Sequence, residues 1–236
     1  MDNIYCYDGT DILKNKLDIR DSDALDLIEA EQSRMEMMLL YDSKFENFSV
    51  DGFYRIHYEL FKNIYEWAGK PRIINLIKRE PLLCGKSVWY SNNENIEHDL
   101  AVAFHELLSV DWKSLSKENF IKLLVPKISA LWQVHPFREG NTRTTVAFMI
   151  LFIEHYGYHV DKELLAESAG YVRNSFVLAS FDEHSEYEHL EKILLDAVSN
   201  ENVTDKEYDK AEATAKYDRY QTKKYIPAKH EQMPEG

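Results

Sequence analysis

Apolar residues recur at three- and four-residue spacing along most of the chain, the pattern of helices that bury one face. The first such segment is 22–40, with Leu25, Ile28, Met35 and Leu39 near one face and Ser22 placed to cap it. Over 51–67 the stripe is Phe53, Ile56, Leu60, Ile64 and Trp67, stopped by Gly69 and Pro71. Helical pattern returns at 94–109. It is strongest over 116–134, where Phe120, Leu123, Leu124, Ile128, Leu131 and Trp132 share a face. Pro126 lies inside that segment and predicts a kink, because it removes one N–H from the ladder. Residues 142–156 are apolar nearly all round, which marks a central buried helix. Two further helices are expected over 161–178 and 184–199. Residues 72–90 differ: 72–77 are rich in β-formers, a charged Lys78-Arg79-Glu80-Pro81 turn follows, and a second apolar stretch runs to Trp89. This pattern predicts a β-hairpin.

Composition narrows the class. The chain has 236 residues, with only 8 Gly and 6 Pro, too few turn residues for a fold of many short strands. From 204 onward seven acidic and seven basic residues cancel, so the net charge of −13 lies within 1–203. We expect one domain over 1–200 and a charged helix or tail over 201–236, solvated and loose at its end. The negative field argues against a nucleic-acid partner. A small phosphorylated ligand stays compatible, because a local basic cluster and Mg²⁺ can reverse the field within a pocket. The longest apolar run, 146–153, is eight residues, far below the ~18 that span a bilayer. No signal peptide is read at the N-terminus, and the two cysteines, Cys6 and Cys84, fit no metal spacing. The expected location is the cytoplasm, or secretion as an effector, with no membrane partner.

The polar residues that interrupt this pattern fall between the two most apolar helices, as His135-Pro136-Phe137-Arg138-Glu139-Gly140-Asn141-Thr142-Arg143. Pro136 biases His135 away from helical angles, Gly140-Asn141 signals a turn, and Thr142 can open the next helix. A helix N-terminus offers free N–H groups to an anion. A histidine can take a proton from a hydroxyl, Glu139 can hold Mg²⁺, and Arg143 can fork onto phosphate oxygens. Singly, these residues have bland explanations: His-Pro as a helix stop, Glu139 and Arg143 as an ion pair. Together, so many polar groups in nine residues would be costly to bury without a ligand.

The run resembles the signature of the Fic family, His-x-Phe-x-(Asp/Glu)-Gly-Asn-Gly-Arg-x-x-Arg, and the resemblance extends to 64–72 and the segment after it, over roughly 8–198. It implies an all-α helical bundle with one β-hairpin flap. It also implies a protein adenylyltransferase, a nucleotidyltransferase that moves AMP from Mg-ATP onto a Ser, Thr or Tyr hydroxyl of a target protein. By that resemblance His135 is the general base, Phe137 a core anchor and Glu139 the Mg²⁺ ligand. Gly140, Asn141 and the Thr142 backbone form the anion hole, and Arg143 clamps the β-phosphate. Arg138 can add a clamp from another side, and Tyr171 and Asn174, beside Arg173, can line the nucleoside pocket. The flap edge that pairs with a target is Ile74, Asn75, Leu76, Ile77 and Lys78.

Two positions depart from the signature. Its third glycine is Thr142, which is tolerable if that residue is already helical. Its last arginine, which in the family holds the γ-phosphate and pairs with the glutamate of an inhibitory helix, is Val146. The inhibitory pattern (Ser/Thr)-x-x-x-Glu-(Gly/Asn) matches only at Ser114, Glu118 and Asn119, where Ser116 capping a helix explains the residues better. No in-chain inhibitory helix is expected; a separate antitoxin-like partner would fit a toxin or effector. The alternatives are transfer of UMP, phosphocholine or phosphate on the same fold, or a silent binding module.

Overall fold

The computed structural model describes residues 4–181, 184–200 and 215–217. Eight α-helices appear among them: α1 (Ser22–Asp42), α2 (Val50–Phe61), α3 (Ile96–Leu108), α4 (Lys117–Val134), α5 (Asn141–His155), α6 (Lys162–Glu167), α7 (Ala169–Ala179) and α8 (Glu188–Ala197). Side-chain caps explain several starts. Asp21 accepts from the Ala24 N–H, Ser49 from Gly52, Ser116 from Asn119 and Asp161 from Leu164. The cap of α1 is thus Asp21, one residue before the expected Ser22. Ser116 caps α4 as expected, and Glu118 lies exposed in its first turn. Pro126 sits inside an uninterrupted α4. The 161–178 segment is two helices, broken at Ser168.

α5 lies at the centre, as its all-round apolar sequence predicts. Phe148, Phe152 and Ile153 are fully buried, and α2, α4 and α1 pack around it. α3 packs on α4, and α4 on α8. α1 departs from expectation. Its buried side carries Leu25, Glu29, Ser33 and Leu40, whereas Met35 and Leu39 face solvent. The polar face turns inward because Glu29 and Ser33 find the half-buried Arg143 there.

The bundle is the expected class, but its strands are placed differently. The two-stranded sheet pairs β1 (Tyr158–Val160) with β2 (Val198–Asn200), antiparallel, with His159 opposite Ser199. Residues 73–89 turn back on themselves without a ladder of described strands. An isolated bridge at Ile77 and a 3₁₀ turn at Pro81–Leu83 are all that is regular there. The turn closes through the Glu80 N–H to Lys86 O (2.9 Å) and the Gly85 N–H to Glu80 O (2.9 Å). Lys78 and Glu80, two residues apart and so on one face of an extended segment, both point inward, onto charges of the bundle.

Most of the expected 201–236 tail lies outside the described residues. Within 215–217, Tyr217 is fully buried against Tyr171 (ring centroids 4.8 Å), and its hydroxyl and the Lys216 ammonium bind the Asp196 carboxylate. That short piece is packed rather than solvated. Among the described residues no helix is long and apolar enough to cross a membrane.

Candidate active site

The loop between α4 and α5 is shaped by its own backbone. His135 ends α4 in the left-handed region (φ 52°, ψ 56°), its N–H bound to Trp132 O. The stop expected from Pro136 therefore occurs, through a left-handed rather than an extended residue. Gly140 caps α5 at φ 81°, and a Cβ there would lie 2.3 Å from the Phe61 ring. That close approach requires glycine. Asn141 is the first residue of α5, so Thr142 is already helical, and its hydroxyl accepts from Trp132 Nε1 (2.9 Å). Asn141 serves the loop: its Oδ1 accepts from the Phe137 N–H (2.9 Å) and its Nδ2 donates to Phe137 O (2.8 Å).

Phe137 is fully buried and stacks on His57 of α2 at 3.7 Å between centroids. His57 accepts from the Gly69 N–H at Nδ1 (2.8 Å), so Nε2 carries the proton and donates to Glu139 O (3.0 Å). Burial pushes its pKa down to about 3, and the ring is neutral. His57 thus pins the backbone of the loop to α2.

His135 itself is buried, and its imidazole lies between Tyr90 and Trp132. Desolvation, then the charges of Lys78 and Arg72, hold its pKa well below the usual value; Glu139 opposes them. The neutral form, which a general base needs, is the stable one. Glu139 accepts from the Gly140 N–H through Oε1 (3.0 Å), and its Oε2 lies 3.7 Å from Lys78 Nζ. Lys78 is buried, which lowers its pKa against the attraction of Glu139. Behind it, buried Glu80 takes a 2.5 Å contact from Arg173 Nη2.

The proposed phosphate ligands separate into two groups. His135, Glu139, Gly140 and the N-terminus of α5 converge on one region, joined by Lys78. Arg143 instead turns to α1, where it pairs with the Glu29 carboxylate and donates to Ser33 Oγ (2.9 Å). Tyr65 also donates to Glu29. Arg138 is buried with Nη2 4.0 Å from Cys6 Sγ, and its Nε and Nη1 have no partner among the described residues. Asn174 accepts from Arg173 (3.4 Å), whereas Tyr171 packs under Tyr217 and its hydroxyl meets His189 Nδ1 (3.3 Å). Along the flap, Ile74, Leu76 and Ile77 are half-buried, Asn75 is exposed with its Oδ1 accepting from the Asn93 N–H, and only Lys78 reaches Glu139.

Four residues of the site went unsuspected in the sequence: His57, Arg72, Tyr90 and Glu29. His57 sits in a helical stripe and reads as core. Arg72 donates to His135 O (2.9 Å), Ile74 O (2.7 Å) and Ser91 O (2.5 Å), three backbone partners that carry no residue signal. Among the described residues no group of three or more His, Cys, Asp or Glu could hold a metal. Glu139 alone fits Mg²⁺, an ion that commonly takes one or two carboxylates and completes its shell with substrate phosphates and water.

The chain matches the family model described as Fic/DOC family over residues 47–153. It is 35% identical over 168 residues to "Probable protein adenylyltransferase y4lH" of Sinorhizobium fredii, covering 68% of this chain and 80% of that one. It is 29% identical over 160 residues to "Protein adenylyltransferase VbhT" of Bartonella schoenbuchensis, covering 64% of this chain and 31% of that one. The chain thus spans about a third of the length of that second relative. The BepC protein of Bartonella tribocorum, solved with bound AMPPNP, superposes with a TM-score of 0.70 at 23% identity, over 83% of this chain and 96% of that one. This likeness is one of fold.

Proposed function

The chain belongs to the Fic/DOC family and is a nucleotidyltransferase of the protein-adenylyltransferase type, and from that premise we propose that it moves AMP from Mg-ATP onto a Ser, Thr or Tyr hydroxyl of a target protein. One observation carries the reading: a buried, neutral His135 stands at the end of α4, with Glu139 and the N-terminus of α5 directly beyond it. His135 takes the hydroxyl proton, and the oxygen forms a bond to the α-phosphorus. The bond from that phosphorus to the bridging oxygen breaks, and pyrophosphate leaves. The free N–H groups of the first turn of α5 receive phosphate oxygens, with the helix dipole behind them. Glu139 would hold Mg²⁺, whose charge offsets that of the phosphates. Lys78 adds a second cation there. A β-phosphate at Arg143 would share that guanidinium with Glu29.

A second reading has a specific observation behind it. Val146 is half-buried against the core and offers neither donor nor charge. A donor other than ATP, giving UMP, phosphocholine or phosphate transfer, suits a site with no arginine at that position. The same reading includes a target protein, a separate antitoxin-like inhibitor, and a cytoplasmic or secreted effector setting.

Incubation with ATP labelled at the α-phosphate, beside the other labelled donors and a lysate, tests both. Protein labelling from α-labelled ATP is expected, and His135→Ala should lose it by at least about 10²-fold, the usual worth of a general base. Equal labelling by His135→Ala and the parent would sink the assigned role of His135. Labelling from another donor alone would select the second reading.

A further inference from the structure

A general base needs a fixed orientation, and a hydrogen bond to its second polar atom commonly supplies it. His135 has none. Neither ring nitrogen has a hydrogen-bond partner among the described residues, although the residue is almost wholly buried. Two rings hold it instead. Tyr90 lies on the imidazole face, with centroids 4.0 Å apart and planes inclined by 25°. Trp132 meets it edge-on, at 5.2 Å and 85°. Tyr90 and Trp132 also touch each other, at 5.9 Å and 70°. Stacked and edge-to-face contacts are the preferred arrangements of such rings, and both are lost if the imidazole turns.

We propose that Tyr90 is the positioning residue of His135: its ring holds the imidazole in the orientation from which it takes the acceptor proton. This rests on the transfer reading given above. Tyr90 stands at the far root of the 73–89 loop, where neighbouring Trp89 points outward and is 76% exposed. Successive residues of an extended segment face opposite ways, so an inward Tyr90 follows from an outward Trp89. Arg72 ties this arrangement together. It binds Ile74 O at one root of the loop, Ser91 O at the other, and His135 O. The loop that would receive a target and the backbone of the base therefore share one guanidinium. A target segment lying on the loop bears on the wall behind the base.

The test uses the full chain with Tyr90→Phe, Tyr90→Leu and Tyr90→Met, the last of comparable bulk without a ring. The His135 ring-proton resonances, assigned by their loss in His135→Ala, should be displaced by the stacked ring in the parent and in Tyr90→Phe. They should move towards ordinary imidazole positions in Tyr90→Leu and Tyr90→Met. In the transfer assay Tyr90→Phe should keep the parental kcat. The two ring-less variants should lose on the order of ten- to a hundredfold in kcat with KM for ATP little changed, the signature of a misplaced group rather than lost substrate binding. A kcat within twofold of the parent in Tyr90→Met, or resonances that do not move, overturns the proposal. So does a Tyr90→Phe variant as impaired as the ring-less ones. If Tyr90→Leu does not fold, Tyr90→Met and Tyr90→Phe decide. Absence of AMP transfer by the parent, with the resonances behaving as expected, refutes the transfer reading while the orientation of His135 by Tyr90 stands.

Discussion

His57 makes the stability of the site sensitive to mild acid. In the folded chain its pKa is about 3, because the ring is buried and Nδ1 already accepts a hydrogen bond. In the unfolded chain it returns to the ordinary value of about 6.5. Above pH 6.5 neither state binds the proton, and His57 imposes no pH dependence. As pH falls below 6.5 only the unfolded chain takes up the proton, so stability drops by about 1.4 kcal/mol per pH unit until the folded pKa is reached. From pH 7.5 to pH 5 the loss is about 2 kcal/mol, towards a ceiling of about 5 kcal/mol below pH 3. His135, also held neutral, acts in the same direction. The comparison that isolates His57 is therefore His57→Gln, which can still accept from Gly69 and donate to Glu139 but does not titrate. Urea unfolding, followed by tryptophan fluorescence at pH 7.5, 6 and 5, should show the parent losing about 2 kcal/mol more than His57→Gln across the range. Parallel pH profiles for the two proteins would refute a buried neutral His57.

Three further outcomes are expected. Gly140→Ala must hold alanine at φ 81° with its Cβ 2.3 Å from the Phe61 ring, which should cost about 3 kcal/mol and lower Tm by several degrees; an unchanged Tm would show that the loop yields. Glu29→Gln leaves the partly exposed Arg143 without its carboxylate, and denaturant unfolding should report a loss of about 2–4 kcal/mol, discounted from a fully buried pair; a midpoint equal to the parent's rejects the pair as a structural tie. Val146 offers the γ-phosphate no charged donor, an interaction worth about 1.5–3 kcal/mol, so calorimetry should find ATP and ADP bound within about tenfold of each other. A parental preference for ATP beyond tenfold would mean that another cation, such as Arg138 or Arg173, takes that role.

Local pattern alone determined much of this protein. The helical segments follow from apolar spacing, and Ser116 begins α4 because a cap and its helix are neighbours in sequence. The His135–Arg143 loop was legible as a site for the same reason: its residues are contiguous and stand between two core helices. What needed the tertiary structure lies across long sequence separations. Arg72 binds the carbonyl of His135, 63 residues away, and Arg143 meets Ser33, 110 residues away. Backbone carbonyls and distant carboxylates leave no mark at either residue that predicts the other. The same limit explains the 73–89 segment, whose β-rich composition suggested paired strands. There the chain closes on a 3₁₀ turn at Pro81–Leu83 instead of a strand ladder, and the inward Lys78 and Glu80 meet Glu139 and Arg173, partners far away in sequence. On α1, apolar spacing favoured a face with Met35 and Leu39, yet Glu29 and Ser33 are the ones buried. Periodicity shows that a helix has faces. Which face goes inward depends on what the rest of the chain places there, and here that is a cation whose burial requires a carboxylate opposite it.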